Sequence, residues 1–152
     1  MIMDEFNEFA DGDTGVQIAA GSALIGDVID LGAGGTGFLG KQMFLVVQVD
    51  TEIDSAGDGA SVQIQLVSDA AAAIATDGSA SVHVDLGTIA EADLTEGKTF
   101  VIPVPPRGGV NEFERYLGIV ATVSGETVTA GAVSAFLTMD PTLWKSYADG
   151  NN

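Results

Sequence analysis

The sequence contains no cysteine, a single histidine and five basic residues in a chain of 152. Missing thiols exclude disulfide stapling and thiolate metal sites. With His83 alone, a histidine-rich metal centre is excluded, and a Ser-His-Asp triad would rest entirely on that residue. Lys41, Lys98, Arg107, Arg115 and Lys145 are thinly spread against 22 acidic residues, giving a formal net charge of −17. A phosphate-tracking surface needs clustered Lys and Arg, so no nucleic-acid partner is expected, and an anionic membrane surface would repel the chain. Apolar runs such as MFLVV are far shorter than a membrane span. The opening MIMDEFNEF has neither the basic nor the apolar stretch of a secretory signal, so synthesis in a cytoplasm is expected.

What the chain does have is 46% hydrophobic residues and 20 glycines, the glycines falling between short apolar segments. That punctuation predicts one all-β domain over residues 1–152. SVQIQLV sets Val62, Ile64 and Leu66 against Ser61, Gln63 and Gln65; SVHVDLG sets Val82, Val84 and Leu86 against Ser81, His83 and Asp85. MFLVVQVD reads as a central strand. With ALIGDVIDL, KTFVIPV, RYLGIVATV and TVTAGAVSAFLTM the count reaches seven or eight, as in a β-sandwich, with a bulge or bend expected at Gly131. SDAAAAIAT fits either one or two helical turns capped by Ser68 or Asp69, or an ordered crossing loop. Residues 1–13, with Phe6 and Phe9 among acids, and residues 141–152, with Trp144 and Tyr147 after Pro141, read as terminal arms lying on a surface.

Several stretches imitate chemical motifs. Gly32, Gly34 and Gly37 in GAGGTG match a dinucleotide fingerprint, and GTGFLGKQ matches a Walker A sequence up to Gln42, where a Ser or Thr must bind magnesium. Both require a following helix, and FLGKQMFLVV reads as strand. DSAGDG spaces Asp54 and Asp58 like part of a calcium loop, but Ala56 and Gln65 stand where an EF-hand needs ligands. A looser calcium site shared with Asp11 or Asp13 is the alternative to a solvated turn. His83 reads as a surface imidazole on a polar face, and no GxSxG elbow is present. No catalytic, cofactor-binding or metal-ligating residue is therefore assigned, and no enzyme activity or cofactor is expected.

The remaining candidates are contact residues. In PVPPRGG, Pro103 cannot donate to a sheet ladder, which suits a blunted edge strand, and Pro105 with Pro106 stiffens the approach to Arg107. An arginine on a stiff loop suits bidentate contact with a partner's carboxylate. Arg115 and Tyr116, adjacent in a strand, are expected on opposite sides, one of them on the inner face or at an interface. Trp144 and Tyr147 are the residue types that dominate protein contacts, or else pack the tail back on the sandwich.

The order of these segments resembles the capsid cement proteins of the Bordetella-phage type. The similarity is carried by MIMDEFNEFADGD, DVIDLG, FLVVQVDT, VQIQLVSDAA, FVIPVPPRGG, RYLGIVATVSG, TAGAVSAFLTMD and the closing WKSYADG. The resemblance implies a jelly roll of about eight strands with short terminal arms. It also implies a homotrimer, attached to the outer face of the virion and bridging neighbouring major capsid protein subunits. It marks Pro105 to Gly109 and Arg115 to Leu117 as contact or support regions. The rival is a carbohydrate-binding or adhesin sandwich of a phage tail or fibre, against which one tryptophan and two tyrosines make a poor sugar platform. A cupin-like enzyme, with only His83 for metal, stands third.

Overall fold

Eight strands realise the period-2 patterns. The computed structural model describes residues 7–12, 15–16, 20–32, 41–106 and 111–141. The strands are β1 (Glu8–Ala10), β2 (Gly21–Asp30), β3 (Met43–Ser55), β4 (Ser61–Asp69), β5 (Ser81–Ala90), β6 (Thr99–Val104), β7 (Tyr116–Ser124) and β8 (Val128–Thr138). A 3-10 turn, Glu91–Asp93, lies between β5 and β6. The strands form two antiparallel four-stranded sheets, ordered β1-β8-β3-β6 and β2-β7-β4-β5. Consecutive strands alternate between the two sheets except β4 and β5, which are neighbours in one, and these strand orders are the jelly-roll arrangement.

The core lies between the sheets. Leu45, Val47 and Val49 of β3 and Val133, Ala135 and Leu137 of β8 pack in one cluster with Ile64 and Leu66 of β4 and Leu117, Ile119 and Val123 of β7. Burying each large aliphatic side chain contributes roughly 1.5–3 kcal/mol. A second, smaller cluster forms on the outer face of the β2-β7-β4-β5 sheet, where Ile74 of the 70–80 connection covers Val67 and Val120. Gly118 makes room for it, since a Cβ there would come within 2.6 Å of Ile74 Cδ1. The SDAAAAIAT segment is thus an ordered loop and not helical turns, and it joins the paired neighbours β4 and β5. Asp69 closes it by accepting from the Ala71 and Ala75 amides at 3.1 and 3.0 Å.

Two sequence expectations hold in detail. β6, with Pro103, is an edge strand paired only to β3. Gly131 has φ +139°, faces Ile53, and sits where the β3–β8 register slips. Two others are corrected. β5 carries an extra residue between the pairs Leu66↔Val84 and Val67↔Val82, so Val84 enters the core while Val82 is 40% exposed. That bulge turns His83 off the polar face and onto the Phe113 ring, centroid to centroid 4.2 Å. Phe9 lies within the residues expected to form a surface arm, yet it is 1% exposed in β1, paired to β8. Its burial removes it as an outward contact residue.

β1 also approaches β2 closely. Gly26 has φ +65°, and a Cβ on it would overlap the Phe9 carbonyl. Gly26→Ala is expected to destabilise by more than about 2 kcal/mol, through positive φ and the clash together. Phe9→Ala should cost about 3–5 kcal/mol if the residue is core. Urea denaturation measures both, and a Phe9→Ala protein of unchanged stability would return Phe9 to the surface.

Candidate functional site

Strand registers decide where the connections lie. Tyr116 pairs with Asp30 and Asp69, so β7 begins where β2 and β4 end. Phe44 pairs with Thr138 and Pro103, so β3 begins where β8 and β6 end. Odd strands therefore run one way and even strands the other. The described parts of the connections 31–42, 70–80 and 105–115 therefore lie at one end of the sandwich, the loop-bearing end, together with the start of β1 and the close of β8. The shorter connections 56–60, 91–98 and 125–127 occupy the opposite end.

At the first end the loop bases are pinned by polar contacts. Arg115 donates from Nε and Nη2 to Asp30 Oδ1 and Oδ2 at 2.9 and 2.8 Å, and its guanidinium lies 4.9 Å from the Tyr116 ring centre. Arg115 precedes β7 instead of belonging to it, which is why it lies over Tyr116 and not on the opposite face as a strand pair would. The Arg115 bonds, with the Gly32 amide, hold the Asp30 carboxyl down at about 2. Both side chains are about half exposed, so the pair fixes geometry more than it adds stability. Leu31 N donates to Arg115 O at 2.8 Å, tying the same two connections together. Gln42 Nε2 reaches Val104 O at 3.1 Å.

The 111–115 segment is held from the other side by Ser68. Its hydroxyl accepts from the Glu114 amide at 2.9 Å and lies 2.7 Å from His83 Nε2, while Ser81 Oγ donates to Glu114 Oε1 at 3.0 Å. Ser68 is 0% exposed. The buried Ser68 hydroxyl thus joins Glu114 to His83, whose ring packs on Phe113, and holds the 111–115 segment in place.

The opposite end is built around a buried carboxylate. Glu91 accepts from Ser55 N at 3.1 Å, Ser55 Oγ at 2.5 Å and Ala60 N at 3.1 Å, closing the 56–60 turn. The Ser55 hydroxyl, helped by the two amides, holds its carboxyl below the ordinary glutamate range, against burial acting the other way. Asp54 and Asp58 bring carboxylate oxygens within 4.8 Å of it and of one another. Among the described residues the companion of the DSAGDG acids is thus Glu91 and not Asp11, while Asp13 lies outside the described residues. Gly57 lies beside them, and a Cβ there would come within 2.6 Å of the exposed Glu126 carboxylate, which would have to swing aside.

Of the contact residues expected from sequence, Arg115 and Tyr116 lie at the loop-bearing end, Leu117 is core, and Phe9 is buried. Phe6, Arg107, Trp144 and Tyr147 lie outside the described residues, as do Gly34 and Gly37 of the glycine-rich loop. Glu91, Ser55, Ser68 and the Asp30–Arg115 clamp were missed by sequence reasoning. Among the described residues, no helix is long and apolar enough to cross a membrane.

A family model described as Bbp16 matches residues 13–137, most of the chain and all strands from β2 to β7. The chain belongs to the Bbp16 family. This is a Bordetella-phage protein family, in keeping with the sequence resemblance. Comparison with curated proteins gave no match. For this Bbp16-family chain the match spans both the Asp30–Arg115 clamp and the Ser55–Glu91 turn.

Because the folded-state pKa of Glu91 is lowered, its contribution is complete above the unfolded glutamate value and is lost as pH falls through the folded one. Glu91→Gln should therefore be less stable than the parent at pH 7, with the gap steady to about pH 5 and closing below about 4.3. Denaturant midpoints from pH 7 to pH 2 test this. A gap that widens in acid would show that Glu91 is not held as a carboxylate.

Proposed function

We propose that this chain is a structural virion protein that decorates and stabilises a tailed-phage capsid. On this reading it sits on the outer face of the shell as a homotrimer and bridges neighbouring major capsid protein subunits. The observation that carries the reading is a jelly roll of a phage protein family in which the polar contacts described above brace loops. Cementing requires no reaction. It requires interface area that must be broken before the shell can swell or burst, and a stable interface buries about 1,200–2,000 Å² in total. Three linked attachments raise the effective concentration of each one.

The adhesin reading gains no support from a groove on the sandwich surface among the described residues. That groove, about 90 Å³, lies between the 70–80 connection and the outer face of the β2-β7-β4-β5 sheet. Val67, Val82, Val120, Ala75, Gln65 and Thr122 are among its lining residues, and no aromatic ring is present for a sugar to stack on.

Mixing purified protein with undecorated heads and imaging them tests the proposal. Symmetric added density is expected, and bare heads at saturating protein would overturn it. A net charge of −17 on each copy also makes self-association salt-dependent. Light scattering should show the trimer strengthening as salt or divalent cation is added; dissociation with rising salt would count against the assembly.

A further inference from the structure

The outer face of the β1-β8-β3-β6 sheet is dry over its two central strands. Strand alternation sends Leu45, Val47 and Val49 of β3 and Val133, Ala135 and Leu137 of β8 into the core between the sheets. Val46 and Phe136, which pair with each other, therefore face outward, with Gln48 and Thr138 on the same side. Yet Val46 is 0% and Phe136 1% exposed, and Gln48 and Thr138 are buried as well. Val101, the β6 partner of Val46 on this face, is 47% exposed, so the cover stops short of the sheet edge. On the other sheet, Val67 and Val120 are kept equally dry by Ile74, which the 70–80 connection lays over them. The burial of Val46 and Phe136 exists within a single copy of the chain, so their cover is the chain's own. The β2-β7-β4-β5 sheet lies across the core from this face and is not its source.

The close of β8 shows where a cover can enter. Thr138 faces outward beside Phe44, and its hydroxyl accepts from the Asp140 amide at 3.2 Å and donates to the Asp140 carbonyl at 3.4 Å. This turn bends the chain off the sheet on the outer side, and beyond Pro141 come residues 142–152, with Leu143, Trp144 and Tyr147 among them. Thr138 and Val46 are diagonal neighbours on the face, roughly 7–8 Å apart. Three extended residues span about 10 Å, which brings Trp144 within reach of Val46. The start of β1 is a less direct source, because β1 lies at the sheet edge and residues before it must cross β8 to reach β3. We infer that residues 142–152, which lie outside the described residues, dock on the outer face of the β1-β8-β3-β6 sheet, with Trp144 over Val46 and Phe136. An indole on the Phe136 ring adds an aromatic contact to the burial of Val46. This goes beyond the decoration reading and does not rest on it. It assigns the tail to its own sandwich and takes Trp144 out of contact with the shell.

Trp144 is the single tryptophan, so its fluorescence reports on this contact in the unaltered chain, without heads or partner. In the folded protein its emission should lie to the blue of the urea-unfolded chain, with acrylamide quenching several-fold weaker. Both properties should persist on dilution. Val46→Ala should then lower the urea midpoint, read by circular dichroism, more in the parent than in a Trp144→Ala background, because contacting residues couple and distant ones add. Emission and quenching like those of the unfolded chain would overturn the inference. Protection that disappears on dilution would overturn it too, by making a second copy the cover. Equal effects of Val46→Ala in the two backgrounds would also overturn it, by placing another segment over this face. The fluorescence is read on the native sequence, so it decides the question even where a substitution abolishes folding.

Discussion

Everything in this molecule depends on burying the inner faces of two four-stranded sheets against each other. Val47, Leu66, Ile119 and Ala135 have no other refuge from water, and each is fully covered only when both sheets are present. All consecutive strands except the paired β4 and β5 belong to different sheets, so every connection but 70–80 crosses from one layer to the other. Antiparallel pairing throughout sorts the connections into two sets at opposite ends. The polarity of the molecule is thus a by-product of how the core is closed, and the polar contacts at either end refine what packing has already laid out.

Those contacts work differently at the two ends. Around Glu91, three donors from β3 and the following turn converge on one buried carboxylate, so the turn is held by a group that must stay ionised. Around Arg115, the charges are exposed and the bidentate geometry does the positioning, joining residues 85 apart in sequence. The first is sensitive to acid. The second, with Asp30 held near 2, persists through most of the acid range.

Legibility in the sequence followed the range of the forces involved. The alternation of β4 was readable because Val62, Ile64 and Leu66 all obey a local period. The edge position of β6 was readable from Pro103, whose missing donor is a property of the residue itself. β5 was misread because a one-residue bulge at His83 breaks the period, and neither the Ser68 hydroxyl nor the Phe113 ring that His83 meets is nearby in sequence. Phe9 was misread because a three-residue strand among acids has no period to detect. Nothing local distinguishes Glu91 from the other acids; only the arrival of Ser55 and Ala60 makes it the buried one. The Bordetella-phage resemblance was carried by segment order, which survives where single contacts do not.

An even number of strands brings the polypeptide back to the end from which it set out. The fold is therefore suited to circular permutation: a peptide joining the close of β8 to the start of β1 and a cut in the three-residue 125–127 turn would leave all eight strands in place. The new ends would emerge on the side that holds Glu91. A peptide appended there would extend away from the end where β1 begins and β8 closes, turning a closed scaffold into a display platform.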